Sequence, residues 1–344
     1  MKAALEMAER GWLPDSLIRY GIRRLNRKRL SAIRRAGEAD IERAAQRFVK
    51  KMQRSPIAVE TRSANEQHYE LPPAFFQRVL GRHLKYSSGF WPNDTQTLDQ
   101  AEARMLDLTC RRAQIEDGLS ILELGCGWGS LSLWLAKNYP KSRIVSVSNS
   151  RLQKDFIDGR IAQEGLSNLK VVTEDMNTYD PGKGFDRIVS VEMFEHMRNW
   201  PRLLERIHGW LLAHGKLFLH VFSHRDYVYE YEVNGDDNWM GRNFFTGGIM
   251  PSDGLIFHMQ DRLKAERHWR VNGNHYRQTA EAWLRNLDAN RDEILEIMRH
   301  AYGGRNAERW LQRWRIFFMA CAELFGFRNG KEWMVSQYRL VDSG

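Results

Sequence analysis

Nowhere in the 344 residues is there an apolar run long enough to cross a bilayer, and only three cysteines are present. Cys110, Cys126 and Cys321 lie far apart and form no Cys-x-x-Cys pair, so neither a disulfide framework nor a zinc knuckle is indicated. A reducing, cytoplasmic setting is the expectation. The first twelve residues set Lys2 and Arg10 among Glu6 and Glu9 and lack the apolar core of a secretory signal. Low-complexity tracts and solenoid repeats are missing, and with no His-Glu-x-x-His no metal is expected.

What is there suits a folded enzyme, since 42% hydrophobic and 28% charged residues over this length can bury a large core. The formal charge of +9 gathers at the front, where residues 1–56 hold 15 Lys and Arg against six acids. We treat residues 1–60 as a basic helical segment and 61–344 as the main domain. Within the segment Leu17, Ile22, Leu25, Leu30 and Ile33 recur near helical spacing among arginines, which predicts a pair of amphipathic helices. A solvated face packed on the core explains such a charge run, an anionic lipid surface is the next reading and nucleic acid the third.

Apolar periodicity predicts helices over 71–84 and 97–112. Strand and helix then alternate: strands at 120–124, 143–147, 169–173, 185–191 and 216–222, helices at 130–138, 152–164 and 201–212. Such alternation implies an α/β fold on a parallel sheet, with ligands at the carboxyl ends of the strands. Residues 223–263 are aromatic, polar and glycine-rich without period, which predicts a lid insertion. A strand at 268–271, helices at 279–299 and 307–325 and a last strand at 333–341 complete the chain.

The first strand runs into Glu123-Leu124-Gly125-Cys126-Gly127-Trp128-Gly129. Glycines there let a ligand approach the backbone and the free N–H groups of a helix start. Gly-x-Gly-x-Gly differs from the dinucleotide spacing, and Glu123 suits the cationic amino group of a methionine moiety, so S-adenosyl-L-methionine is the expected cofactor. Cys126 reads as a small packing residue of the loop. After the second strand Ser148, Asn149 and Gln153 can bond ribose hydroxyls; after the third, Asp175 and Met176 can meet an adenine. After the fourth, Val191 leads into Glu192-Met193-Phe194-Glu195-His196-Met197. On a helical turn Glu192, Glu195 and His196 share one face, where two carboxylates and an imidazole can bind and deprotonate a cationic amine. The Asn/Asp-Pro-Pro-aromatic tetrad of nucleic-acid amino-methyltransferases is absent, which argues against a base as substrate. Trp239, Phe244 and Phe245 of the lid are candidates to exclude water and stack on the substrate.

These motifs, with His68-Tyr69-Glu70-Leu71-Pro72, Leu84-Lys85-Tyr86-Ser87, Phe244-Phe245-Thr246-Gly247-Gly248, His275-Tyr276 and Ala322-Glu323-Leu324-Phe325-Gly326, resemble the cyclopropane fatty acid synthase superfamily. Within it the chain looks most similar to the N-methyltransferases of benzylisoquinoline alkaloids such as coclaurine. The resemblance implies a class I, Rossmann-like methyltransferase sheet with an N-terminal helical segment and a helical lid. It also implies cofactor contacts from Tyr86 and Ser87, an amine pocket lined by Glu192, Glu195 and His196, and substrate contacts from Phe194, His220 and Tyr276. Cys321 falls where the superfamily has a cysteine labelled catalytic. Lipid-modifying members bind bicarbonate through Cys, Glu, His and Tyr; Glu195, His220 and Tyr276 match three, and Ser88 replaces the Cys. The activity implied is methyl transfer to a small aromatic amine, with His196 as base, and the alternative is acyl-chain methylation or cyclopropanation on membrane phospholipid. The partner implied is the amine and not nucleic acid; peripheral membrane contact through the basic segment and a homodimer both stay open.

Overall fold

The computed structural model describes residues 2–35, 40–59, 71–235 and 238–344. His68, Tyr69 and Glu70 of the motifs above lie outside them, as do Asp236 and Asp237 of the predicted insertion. The centre is a seven-stranded sheet of β1 (Ser120–Leu124), β2 (Arg143–Ser148), β3 (Leu169–Thr173), β4 (Phe185–Val191), β5 (Leu211–His224), β8 (Leu263–Val271) and β9 (Trp333–Asp342). Its order is β3-β2-β1-β4-β5-β9-β8, parallel through β5, with β9 antiparallel to β5 and β8 antiparallel to β9. The order reverses between β1 and β4, which opens a crevice at their carboxyl ends.

Local chemistry sets the ends of the elements. Helix α1 (Lys2–Glu9), α2 (Asp15–Arg35) and α3 (Ile41–Gln53) precede α4 (Pro73–Val79), which is shorter than its apolar period suggests. The two carboxylate oxygens of Glu102 take the N–H groups of Gly81 and His83, and Asp99 takes that of Arg82, so those donors are withdrawn from further helix. Thr97 and Gln100 form a capping box on α5 (Leu98–Ala113). Between the strands run α6 (Ser130–Asn138), α7 (Arg151–Glu164) and α8 (Trp200–Trp210), the last two capped by Ser150 and Asn199. β5 begins five residues ahead of the predicted strand, because Leu211 already pairs with Phe185 across a register shift.

The insertion at 223–263 is irregular but packed: a short hairpin of β6 (Tyr229–Glu230) and β7 (Ile249–Met250) encloses α9 (Trp239–Asn243). The helix predicted at 279–299 is two, α10 (Gly273–Ala289) and α11 (Arg291–Tyr302), separated at Asn290, and α12 (Gly304–Phe325) follows. Among the described residues no helix is long and apolar enough to cross a membrane.

The predicted N-terminal helix pair is one helix, α2, packed with α1 on α12. Its inward face is also displaced: Ile18 and Leu30 are buried, whereas Leu17 and Leu25 are 49% and 37% exposed. Ion pairs fix that rotation. Arg19 reaches Glu281 and Glu323, Arg23 reaches Glu323 and Arg34 reaches Glu332, so part of the basic charge is spent inside the molecule.

Candidate active site

Three glycines with positive φ (Gly125, +81°; Gly127, +52°; Gly129, +80°) turn β1 into α6. At Gly125 a Cβ would stand 2.6 Å from Met193 Cβ, and at Gly129 2.8 Å from Ile157, so side chains are barred by conformation and by space. Above the loop lies a cavity of about 90 Å³. Its walls include Gly125 and Gly127 after β1, Ser148, Asn149 and Gln153 after β2, Asp175 and Met176 after β3, and Glu192 and His196 after β4. Ser148 Oγ donates to Gln153 Oε1 at 2.6 Å, which leaves the Gln153 amide nitrogen buried with no partner among the described residues. That leaves an N–H donor in the cavity wall that a polar ligand could satisfy.

Five residues expected to touch the cofactor are not among the residues lining this cavity. Glu123 lies beneath the loop, where one oxygen accepts from Ser132 and Ser146; burial lifts its pKa to about 7. It ties β1 to β2 and α6. Cys126 and Val191 pack with the apolar layer around Ile121 and Val189, and Tyr86 packs against Phe76 and Trp283. Ser87 is buried and accepts from Lys85, whose ammonium burial weakens to a pKa of about 8. One wall was not foreseen: Ala58 and Val59 close the cavity from the N-terminal side. Asn177 holds Ala58 through both its N–H and its C=O, at 3.0 and 3.1 Å. Composition had set residues 1–60 apart by charge, a property Ala58 and Val59 do not share.

After β4 the expected helical face does not form. Glu192 is left-handed (φ +50°), and only Phe194–His196 makes a 3-10 turn, so the two carboxylates diverge. Glu192 Oε1 accepts from the Ser88 N–H at 3.0 Å and from His220 Nε2 at 3.2 Å, and Oε2 accepts from Tyr276 at 2.6 Å. The residue beside His220 and Tyr276 is therefore Glu192, not Glu195. Burial alone would raise its pKa; the bond from His220, the charge of Lys85 and the Ser88 N–H outweigh that and hold it below the usual carboxylate range. Glu195 is opposite. Oε1 accepts from the Phe222 N–H at 2.7 Å, Oε2 is buried without a partner among the described residues, and burial plus the Glu192 charge push its pKa well up. Burial brings His196 down to about 4, a neutral imidazole.

Beyond these groups stands an aromatic wall. Phe245 lies 4.6 Å from the His196 ring and 4.7 Å from Tyr231, while Phe325 stacks on Tyr276 at 4.1 Å. Three expected substrate contacts face away from it. Phe194 is buried against Trp200, Phe244 stacks on Phe317 at 4.4 Å, and Trp239 donates its indole N–H to Glu9 at 2.8 Å. Apolar contacts and a buried partner account for each. Cys321 comes close enough to feel Glu192, and burial with that charge raises its pKa. His224 turns to Glu332, and among the described residues no cluster able to hold a metal ion occurs.

The family model described as mycolic acid cyclopropane synthetase matches residues 58–335. The chain belongs to that family. Among curated relatives, (S)-coclaurine N-methyltransferase of Thalictrum flavum subsp. glaucum is 37% identical over 338 residues, 96% of this chain and 93% of the relative. The cyclopropane-fatty-acyl-phospholipid synthase of Escherichia coli K12 is 29% identical over 281 residues, 81% of this chain and 68% of the relative. A solved coclaurine N-methyltransferase bound to N-methylheliamine and SAH superposes with a TM-score of 0.94 at 36% identity, covering 98% of each chain. This member of the family is thus a class I methyltransferase in fold and uses S-adenosylmethionine as its donor. The unpartnered Gln153 amide and the open glycine loop fit such a guest.

Proposed function

We propose that the protein transfers a methyl group to the nitrogen of a small aromatic amine of the tetrahydroisoquinoline type. The observation that carries this is the placement after β4 of Glu192, held by three donors, and of Glu195, with one buried oxygen that has no partner among the described residues, beneath an aromatic wall. When bound, S-adenosylmethionine supplies an electrophilic methyl group on a sulfonium. The protein must then hold a nitrogen lone pair in line with it and keep water out.

A free alkylamine, with a pKa of about 10, enters as a cation. Glu192 attracts that cation by its charge, and the ring faces of Phe245 and Tyr231 add attraction. The nitrogen must next give up a proton, and matching of proton affinities decides where it goes. His196, held near 4 by burial, is a far weaker base than a free amine, so a transfer to it runs uphill. Glu195 is raised towards the amine and has an unused oxygen. We therefore assign proton uptake to the carboxylate form of Glu195, whose proton affinity burial increases, and to neutral His196 the task of holding the nitrogen in place.

Similarity to lipid-modifying enzymes raises acyl chains as acceptors, with bicarbonate as the proton carrier. Here the Ser88 N–H, His220 and Tyr276 all donate to Glu192, which leaves them no capacity for an anion and favours the amine. The deciding assay offers labelled donor to tetrahydroisoquinolines of increasing N-substitution, to vesicles of unsaturated phospholipid and to RNA. Label on amine nitrogen is expected; label confined to lipid or RNA overturns the reading.

A further inference from the structure

Behind Glu192 a line of buried hydrogen bonds crosses the sheet to the molecular surface. Arg112, at the end of α5, approaches Gln337 Oε1 with Nη1 at 2.5 Å. Gln337 Nε2 lies 2.9 Å from His220 Nδ1, and His220 Nε2 lies 3.2 Å from Glu192 Oε1. His220 and Gln337 are wholly buried; Arg112 is half-exposed and rests over the Trp269 ring at 5.0 Å.

The direction of every bond follows from the first. A guanidinium can only donate, so Gln337 must present its carbonyl to Arg112 and its NH2 to His220. That NH2 also only donates, so Nδ1 must be the lone-pair nitrogen. A neutral imidazole then carries its single proton on Nε2, facing a carboxylate that can only accept. The opposite tautomer would set N–H against N–H at Gln337 and lone pair against carboxylate at Glu192.

We infer that Arg112 and Gln337 are positioning residues that lock His220 as the neutral Nε2–H tautomer and thereby keep Glu192 a fixed, fully bonded anion. This rests on reading the Glu192 end of the cavity as the amine site. With its oxygens occupied, Glu192 acts on the cation through its field and leaves proton uptake to Glu195. The ionisable groups facing this pair are Lys85, Arg112, Tyr276, Glu195, His196 and Cys321, and burial keeps His220 itself below its ordinary pKa.

The test uses 15N-histidine spectra of the full chain, with His220 assigned by the signal lost in His220→Gln. Wild type should show His220 with a protonated Nε2 and a bare Nδ1, unchanged across the neutral pH range. Arg112→Met frees the Gln337 amide to turn over and should give mixed tautomers, while Arg112→Lys, still a donor only, should restore the wild-type pattern. Gln337→Glu places a carboxylate against Nδ1 and should protonate both nitrogens, cancelling the Glu192 charge and raising the KM for the amine about tenfold with a smaller change in kcat. A wild-type His220 protonated on Nδ1, or an Arg112→Met spectrum identical to wild type, overturns the inference. The spectra need no substrate, so a failure to methylate amines leaves this readout intact and counts against the proposed reaction alone.

Discussion

Glu192 and Glu195 are three residues apart and chemically opposite, and the difference comes from what donates to them. Three donors hold one as an anion; with one backbone N–H and full burial, the other has a raised affinity for a proton. Glu195→Gln keeps a carbonyl for the Phe222 N–H but cannot take a proton, so kcat is expected to fall by roughly 10² to 10⁴ with the fold intact by circular dichroism. Tyr276→Phe removes one donor from Glu192 and raises its pKa. Glu192 attracts the amine only while ionised, so attraction is lost as pH falls through that pKa, and the acid limb of kcat/KM should move to higher pH. An acid limb that stays in place would dissociate Glu192 from amine capture. Neither residue's state could be read from sequence. The motif after β4 showed acids and an imidazole in series, but not the left-handed Glu192 that splits them, nor donors brought from Ser88, His220 and Tyr276.

At the scale of elements, the five parallel strands and the glycine turn were legible because each is a short apolar run closed by a sharp change of residue type. β1, β3 and β4 have the bounds expected of them. Residues 223–263 were not legible, since side chains there face whatever long-range partner is nearest and no period records it. Phe244 and Phe245 adjoin, yet the first is held by Phe317 and Trp314 and the second by His196 and Tyr231. Their substitutions should separate accordingly. Phe244→Ala is expected to cost about 3–5 kcal/mol of stability, read in denaturant unfolding, with little change in KM for the amine. Phe245→Leu should instead raise that KM several-fold at nearly unchanged stability. One signal passed over was polarity in the last strand: Ser336, Gln337 and Arg339 are buried in β9, and polar side chains inside an otherwise apolar strand imply an internal bonding network.

At the scale of the molecule, the N-terminal helices brace the insertion. Glu9 of α1 accepts from Trp239 of α9 and pairs with Arg309 and Arg313 of α12, so three parts of the chain meet on one carboxylate. Burial alone would raise its pKa, and the bonds from Arg313, Trp239 and Arg309 hold it below the ordinary range. Stability from Glu9 is thus present above the unfolded carboxyl pKa and lost as pH falls through the lower folded value. Because both arginines keep some contact with water, Glu9→Gln should cost about 1–3 kcal/mol, less than breaking a fully buried pair. It should also flatten the acid side of the stability profile measured by thermal unfolding.

With the methyl donor seated in this cavity, as the proposed reaction has it, the wall formed by Ala58 and Val59 would tie donor affinity to the helices that precede the sheet. A guest that leans on these two residues favours every conformation in which Asn177 keeps hold of Ala58, so the first helices should resist proteolysis better when the guest is present.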